Sequence, residues 1–392
     1  HKSREDFMAV CTIEVERAGD NLFVIRGCQY GHGTMQITSA RDKDDLSIDP
    51  ERRAYLQVSL KGRWGMVARI LRRSDDAVLH EVEARGGSCT LSYDPGDCVR
   101  IDVYTLDVQE EELILSAPYS AGLSHLLSWQ GVTLEGGVLQ KRFPRSRFLY
   151  GETSIEAAIR EFRLQCDYRI GTSGYSNMDE KRCRELDLRL GQYEHAVVGL
   201  VNHSIAEVRH TLPAARPGIV HGSSGMGVDL ALMRVANENN IPNIGTTCLE
   251  YLWYVDNASQ GPKVLIARSK EDYNRLYVSQ LDILLAANGA ETSFKMDVHA
   301  ATEALIPVIP IDIIGMLGSK VPAFKTDPAT GERRVNDAVG VLLKTWLLID
   351  WNNVPASYAD DRFPLVARKF SNCVVARVRE LIAPKHGYSI VR

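Results

Sequence analysis

Three glycine-rich stretches combine small residues with hydroxyl side chains, and each follows a run of apolar residues. They read "GTSGYS" at 171–176, "HGSSGMGVD" at 221–229 and "NGAETS" at 288–293. Glycine lets the backbone approach a ligand closely, and Ser and Thr hydroxyls add hydrogen-bond donors. A helix is predicted after each stretch, and the first N–H groups of a helix favour an anion. We therefore expect a site for a phosphate-bearing ligand, and a nucleotide is the expected ligand class.

The residues predicted to contact this ligand come from all three stretches. His221 either faces the ligand or is satisfied by groups nearby, and Asp229 either caps its helix or binds a ribose hydroxyl. For each stretch alone, a tight structural turn is the alternative. "GSSGMG" is not the GxGxxG dinucleotide fingerprint, and no Walker GxxxxGK[ST] is present. The predicted set is Gly171, Thr172, Ser173, Gly174, His221, Gly222, Ser223, Ser224, Gly225, Gly227, Asp229, Asn288, Gly289 and Thr292.

Two carboxylates near the third stretch are candidates for catalysis. Cleavage of an N-glycosidic bond needs a carboxylate that supports an oxocarbenium-like centre or activates water, and Glu291 and Asp297 are the candidates. Their alternative role is to interact favourably with a helix dipole. His299 and Glu303 are spaced as a surface pair on one helix face. No metal site, cofactor, or serine or cysteine nucleophile pattern is predicted.

The elements that must position these stretches follow an α/β pattern. From 151 to 332, near-continuous apolar runs alternate with amphipathic segments, which predicts a Rossmann-like parallel sheet with flanking helices. The loops after the carboxyl ends of such strands line a ligand crevice. Within this region we interpret "HAVVGLV" at 195–201 as a buried strand and Gly191 as the end of a preceding helix.

The rest of the chain predicts three further regions. Short alternating runs at 1–118 indicate a β-rich N-terminal domain, a sandwich or small barrel. Residues 119–150 are interpreted as a linker, and 333–392 as a helical C-terminal extension that packs on the α/β domain. Apolar residues at helical spacing in 342–353 predict a docking helix or an oligomer contact.

Two aromatic segments have alternative interpretations. "KRFPRSRF" at 141–148 interleaves basic and aromatic residues, which is typical either of single-stranded nucleic-acid binding or of a solvated linker, and the linker is favoured. "CLEYLWYVDN" at 248–257 offers Tyr251, Trp253 and Tyr254 for base stacking or for packing, and packing is favoured.

Composition disfavours several classes of protein. The 392 residues include 46 Lys and Arg against 50 Asp and Glu, which disfavours a protein that coats nucleic acid. The eight cysteines form no CxxC pair, so we expect reduced thiols in a cytoplasmic protein. No apolar run has the length of a membrane span. The expected partners are a nucleotide-type small molecule and further copies of the chain in a homo-oligomer, and no membrane.

The order of "RIGTSGYS", "GIVHGSSGMGVDLALMRVANENNIPNIGTT" and "LDILLAANGAETSFKMDVHAATEALIPVIPI" resembles the SLOG superfamily over residues 165–315. This superfamily includes LOG phosphoribohydrolases, the Rossmann domain of DNA-processing protein A, and nucleotide-sensing domains of bacterial defence and TRPM channel proteins. The resemblance implies a Rossmannoid nucleotide-binding domain. The positions that match its motifs are Gly222, Gly225, Gly227 and Asp229, and then Asp282, Asn288, Gly289 and Thr292.

Two departures from the family pattern bear on activity. The family's "GGxGT" loop reads "NGAET" here, with Glu291 in place of a glycine, and Lys295 stands where the hydrolases carry a glutamate. The resemblance therefore implies nucleotide binding or sensing. A phosphoribohydrolase acting on nucleoside 5′-monophosphates is the first alternative, and a DNA-processing protein is the second.

Overall fold

A computed structural model describes most of the chain after residue 98 and separate strands before it. The described residues are 13–19, 22–26, 35–39, 54–72, 78–93, 99–119, 121–267, 270–289, 291–311, 313–317, 324–326, 333–335 and 363–386. They fall into two compact units. The first unit contains His1–Leu149, Cys248–Gly261 and Ile266–Ser269, and the second contains Tyr150–Thr247, Pro262–Leu265 and Lys270–Arg392.

The first sheet is antiparallel and belongs to the β-rich part of the chain. Its strand order is β2-β1-β6-β7-β9-β8, and β4 pairs with β3, β5 and β6. Leu113, Leu115 and Ala117 of β7 are fully buried, and Ile114 and Ser116 between them are buried as well, so both faces of this strand are covered. The strands are β1 Ile13–Gly19, β2 Leu22–Arg26, β3 Met35–Ser39, β4 Ala54–Arg72, β5 Val78–Tyr93, β6 Val99–Val108, β7 Glu112–Pro118, β8 Val132–Glu135 and β9 Val138–Pro144.

The segment 119–150, interpreted as a linker, carries regular structure. A 3-10 helix spans Ala121–Ser128, β9 pairs antiparallel with β7 and β8, and a further strand, β10, spans Phe148–Tyr150. The alternation in β9 is hidden in the sequence because a lysine occupies an inward position, between the buried Leu139 and Phe143. The outer boundaries of the predicted domains stay predictions.

The interpretation of "KRFPRSRF" as a solvated linker is wrong for two of its basic residues, Lys141 and Arg147, because both are buried. Lys141 is buried and its Nζ donates to the Trp253 carbonyl at 2.9 Å. Burial lowers the pKa of Lys141 to about 8. Arg147 is also buried, and it donates to the carbonyl oxygens of Asp256 and Ala258. These two side chains hold the first unit together and are not exposed to a nucleic acid.

The second sheet confirms the predicted fold class, a Rossmann-like parallel sheet with flanking helices, preceded by the β-rich region. Its strand order is β10-β14-β13-β12-β11-β15-β16. Besides β10, its strands are β11 Tyr168–Gly174, β12 Pro217–His221, β13 Asn243–Cys248, β14 Val264–Ala267, β15 Ile283–Ala287 and β16 Val308–Ile311. The helices are α1 Glu152–Gln165, α2 Glu180–Glu185, α3 Gln192–Thr211, α4 Gly227–Glu238, α5 Lys270–Val278, α6 Glu291–Glu303, α7 Ile313–Met316 and α8 Phe363–His386. A 3-10 helix spans Tyr251–Tyr254, and β17 Phe324–Thr326 pairs with β18 Arg333–Val335.

The strand order reverses at β11. From β11 the chain adds β12, β13 and β14 on one side, and it then adds β15 and β16 on the other side. Both neighbours of β11 run parallel to it, with Ile170 opposite Ile219 on one side and Ile283 on the other. In open α/β sheets such a reversal opens a crevice outside the carboxyl ends of the two diverging strands.

The interpretation of "HAVVGLV" as a strand is wrong, because these residues lie inside α3. Buried positions in this helix recur at helical spacing, as with Val197, Leu200, Val201 and Val208. A seven-residue apolar run does not distinguish a buried strand from a buried helix segment. Gly191 is the N-cap of α3 with φ 76°, and it does not end an earlier helix.

The core of the second unit includes residues of the predicted C-terminal extension. Val374, Val378 and Ile382 of α8 belong to the same buried cluster as the apolar face of α3. The predicted docking helix at 342–353 lies outside the described residues. Among the described residues, no helix is both long enough and apolar enough to cross a membrane.

Candidate functional site

The loops after β11 and β12 are fastened to each other by hydrogen bonds. The Val228 N–H donates to the Tyr175 carbonyl at 2.9 Å, and the Ser224 hydroxyl donates to the Ser176 carbonyl at 3.2 Å. An added Cβ at Gly227, whose φ is 61°, would overlap the Tyr175 carbonyl oxygen. The glycine here is therefore required by the close approach of two loops.

A tyrosine joins the ends of β11 and β15. The Tyr193 hydroxyl, buried in the first turn of α3, donates to the Ala287 carbonyl at 2.5 Å and accepts from the Tyr175 N–H at 3.2 Å. An added Cβ at Gly174 would overlap the same Ala287 carbonyl oxygen. The carboxyl ends of β11, β12 and β15 thus form one connected group of loops.

The first predicted stretch is partly strand, contrary to the prediction of a turn. Gly171, Thr172, Ser173 and Gly174 all lie in β11, which ends at Gly174. An added Cβ at Gly171 would meet Tyr277 and Leu281, and the Tyr277 hydroxyl donates to the Thr172 carbonyl. Gly171 and Thr172 therefore pack inside the sheet layers, whereas Ser173 and Gly174 are at the carboxyl end. All four small residues are buried, and the strand continues through them to Gly174.

In the second stretch, protein groups bind most of the backbone N–H groups predicted to face a phosphate. Asp229 accepts from the Gly222 N–H at 2.5 Å and from the Ser224 N–H at 3.4 Å. The Gly227 N–H donates to Glu194 Oε1 at 3.1 Å. Asp229 therefore closes the loop that precedes its helix.

His221 is satisfied within the protein, which is one of the two alternatives left open by the sequence. The side chain is fully buried, and its Nδ1 accepts from the Ser223 N–H at 3.2 Å. Nε2 lies 3.1 Å from Asn243 Oδ1. Since Nδ1 is an acceptor, we assign the proton to Nε2, which donates to the Asn243 amide oxygen. Through these two hydrogen bonds His221 stabilises the loop after β12 from inside the protein.

The third stretch turns sharply at Asn288 and then enters α6. Asn288 has φ 36° and is fully buried, and its Oδ1 accepts from the Ile314 N–H at 3.0 Å. Gly289 follows, and Glu291 and Thr292 form the first turn of α6. The side chains of 291–296 are outside the described part of the structure. The backbone thus has the predicted order of strand, turn and helix start.

Asp297 is the candidate carboxylate that the fold brings to the end of β11. Its Oδ2 accepts from the Ser173 hydroxyl at 2.8 Å, across 124 residues of sequence. Its Oδ1 is buried and has no hydrogen-bond partner among the described residues. Burial, with a smaller contribution from the charge of Asp229, raises the pKa of Asp297 from 3.8 to about 7, against the lowering effect of the Ser173 hydrogen bond. This carboxyl can gain or lose a proton near neutral pH.

Asp229 and Glu194 are two further buried carboxyl groups, and both bind the loop after β12. Burial raises the pKa of Asp229 to about 6, against the opposing effect of its two backbone N–H donors. Glu194 was missed by sequence reasoning because "HAVVGLV" was interpreted as a strand. Its Oε1 binds the loop at Gly227, and its Oε2 has no partner among the described residues. If this segment is predicted as a helix, Glu194 is a carboxylate in its first turn, and that position is the signal that could have identified it.

One residue of the family-like motif lies away from this edge. Asp282 precedes β15 and binds the backbone N–H and the guanidinium of Arg169, with contacts of 2.9, 2.7 and 2.8 Å. Both residues are at the amino-terminal ends of their strands. Asp282 therefore joins two strands at the edge opposite the candidate site.

The remaining candidates have structural roles. His299 and Glu303 form the predicted surface pair, with 68% and 72% of their side chains exposed. Trp253 is buried with its ring edge against Tyr104, so packing is confirmed for this residue. Within the described residues, no group of three or more His, Cys, Asp or Glu is arranged to hold a metal ion.

A comparison with protein-family models finds no match, and a comparison with curated proteins finds none either. Among solved structures, a molybdenum cofactor carrier protein from Chlamydomonas reinhardtii is 15% identical, with 46% of this chain and 97% of that chain covered and a TM-score of 0.26. A β-D-glucuronidase from Dictyoglomus thermophilum is 10% identical, with coverages of 73% and 45% and a TM-score of 0.15. A dodecameric iron-containing heptosyltransferase in complex with ADP-D-β-D-heptose is 12% identical, with coverages of 86% and 96% and a TM-score of 0.18. Similarities this low carry no argument about ligand or activity.

Proposed function

We propose that the second unit binds or senses a nucleotide-type ligand at the carboxyl ends of β11, β12 and β15. The observation that supports this proposal is the reversal of strand order at β11, because ligands of open α/β sheets bind at such reversals. Three loops with glycine or hydroxyl residues meet at this point. Membership of the SLOG superfamily and assembly into a homo-oligomer are part of the same proposal.

The carboxyl groups determine which part of the ligand lies where. A phosphate beside the buried Asp229 carboxylate would meet a like charge at low dielectric, which is unfavourable. We therefore assign the phosphate to the start of α6 near Gly289 and to the backbone of Gly225 and Met226 before α4. The ribose or base then lies toward Asp297. This assignment moves the phosphate away from Gly222, Ser223 and Ser224, where the sequence pattern suggested it.

A second candidate function is hydrolysis of an N-glycosidic bond in a nucleoside 5′-monophosphate. The observation that favours it is the buried Asp297 carboxyl, whose raised pKa of about 7 suits proton transfer at neutral pH. Asp297 is supported by its contact with Ser173 at the carboxyl end of β11, and Glu291 stays the other candidate that the sequence offers. DNA processing is supported by no observation on the described residues.

A thermal-shift screen followed by native mass spectrometry tests both candidates. The probes are AMP, GMP, CMP, UMP and ADP-ribose. A nucleotide present at 100 times its Kd is expected to stabilise the protein by about 2.7 kcal/mol. An intact bound nucleotide supports sensing, and release of a free base supports hydrolysis. Absence of a shift with all five probes would contradict the proposed function.

A further inference from the structure

The pair formed by Ser173 and Asp297 leaves one buried oxygen unused. The Ser173 hydroxyl donates to Oδ2 at 2.8 Å, and Oδ1 has no partner among the described residues although Asp297 is only 8% exposed. A buried carboxylate oxygen without a donor is costly, whereas a protonated oxygen becomes a donor that can meet an acceptor. Oδ1 is therefore a place for a proton, and among the described residues this proton has no acceptor.

The groups around Asp297 also favour a proton there. Asp229 on α4 adds negative charge, and its own carboxylate is stabilised by the N–H groups of Gly222 and Ser224. Tyr277 on α5 faces both carboxyls, and its hydroxyl proton is already donated to the Thr172 carbonyl. The described groups that affect Asp297 thus supply one hydroxyl donor and no positive charge. Burial and Asp229 together raise the pKa of Asp297 to about 7.

We propose that Asp297 is a neutral carboxylic acid in the ligand-free site and that Oδ1 donates a hydrogen bond to an acceptor atom of the ligand. The acceptor is a carbonyl oxygen or an unprotonated ring nitrogen of the base. The proton stays on Oδ1, and no covalent bond is made or broken. The inference rests on the proposed nucleotide site and adds which atom of the protein recognises the base and how pH regulates binding.

The consequence is that ligand affinity falls as pH rises. Only the protonated fraction of Asp297 binds well, and a group with a pKa of about 7 is mostly protonated at pH 6 and mostly ionised at pH 8. Binding to the wild-type protein is therefore expected to weaken by about tenfold between these two pH values. Asp297→Asn keeps a donor and an acceptor in similar positions without a titrating proton.

Titration calorimetry at pH 6, 7 and 8 tests the inference, with the nucleotide of the five that gives the largest thermal shift. We expect the wild-type affinity to fall by about tenfold relative to that of Asp297→Asn between pH 6 and pH 8, so that the variant binds more tightly than the wild type at pH 8. Glu303→Gln, on the exposed face of the same helix, is the matched control and should follow the wild type. The Asn variant also corrects for titration of a ligand phosphate, because that titration affects all three proteins.

Two results would overturn the inference while leaving the nucleotide site in place. One is a wild-type affinity that rises with pH together with loss of binding in Asp297→Asn, which would make Asp297 an ionised acceptor. The other is an equal pH dependence in the wild type and in Asp297→Asn. If no probe binds at any pH, the proposed function fails. The infrared carbonyl band of a protonated carboxyl in the ligand-free protein, absent from Asp297→Asn, then decides the state of Asp297 independently.

Discussion

Asp297→Asn is expected to stabilise the protein relative to the wild type as pH rises, although it alters the candidate site. The pKa of Asp297 is raised from 3.8 to about 7, so the folded protein binds this proton more tightly than the unfolded chain does. Stability from this group therefore falls with increasing pH between about 4 and 7. Between pH 5 and pH 8 the stability of the variant relative to the wild type should increase by roughly 2 to 3 kcal/mol.

Urea unfolding at pH 5, 6, 7 and 8 measures this difference. Asp229→Asn is the informative comparison, because the amide nitrogen of Asn cannot accept the N–H groups of Gly222 and Ser224 as both carboxylate oxygens do. We expect Asp229→Asn to destabilise the protein at pH 8, where Asp297→Asn stabilises it. A difference between wild type and Asp297→Asn that does not change with pH would show that this carboxyl titrates as a solvated group.

Gly227→Ala is expected to destabilise the second unit by more than about 3 kcal/mol. Gly227 has φ 61°, and an added Cβ would overlap the Tyr175 carbonyl oxygen, which also accepts the Val228 N–H. The substitution must separate the loops after β11 and β12, and it disturbs the hydrogen bond from the Gly227 N–H to Glu194. Urea unfolding and nucleotide affinity measure the two consequences.

Gly191→Ala is the matched control for this substitution. Gly191 is also in the left-handed region, with φ 76°, but apart from its own chain neighbours no atom of the described residues lies within 4 Å of an added Cβ. Its cost should be the backbone strain alone, about 1 kcal/mol, with nucleotide affinity unchanged. Equal losses of stability in the two variants would contradict this prediction. They would mean that the overlap with the Tyr175 carbonyl oxygen adds nothing to the cost of placing alanine at a positive φ.

The sheet was predictable because its strands are short apolar runs. β14 and β15 consist of Ile, Val, Leu and Ala, and β16 departs from this only at Pro310, which is typical of strands covered on both faces. The helix α3 was not predictable from "HAVVGLV", because the run fits either state and its helical spacing is visible only over twenty residues. Lys141 concealed β9 in the same way, because a charged residue at an inward position breaks the expected alternation.

The sequence predicts where the candidate loops lie in the sheet, but it predicts few of the contacts between their residues. The stretches around Ser173, Gly225 and Gly289 lie at the ends of neighbouring strands, as the alternation of strands and helices indicates. The sequence does not show that Asp229 binds the loop N–H groups, or that Ser173 contacts Asp297 across 124 residues. These pairings depend on strand order and helix rotation, which local spacing does not determine.

Hydrogen-exchange mass spectrometry with and without bound nucleotide tests the central claim most directly. The amides of 173–177, 222–229 and 288–293 belong to the loops and helix starts around the reversal at β11. We predict that nucleotide binding slows exchange in all three segments and leaves the antiparallel sheet of the first unit unchanged. Protection confined to other segments, with these three unaffected, would contradict the assignment of the nucleotide site.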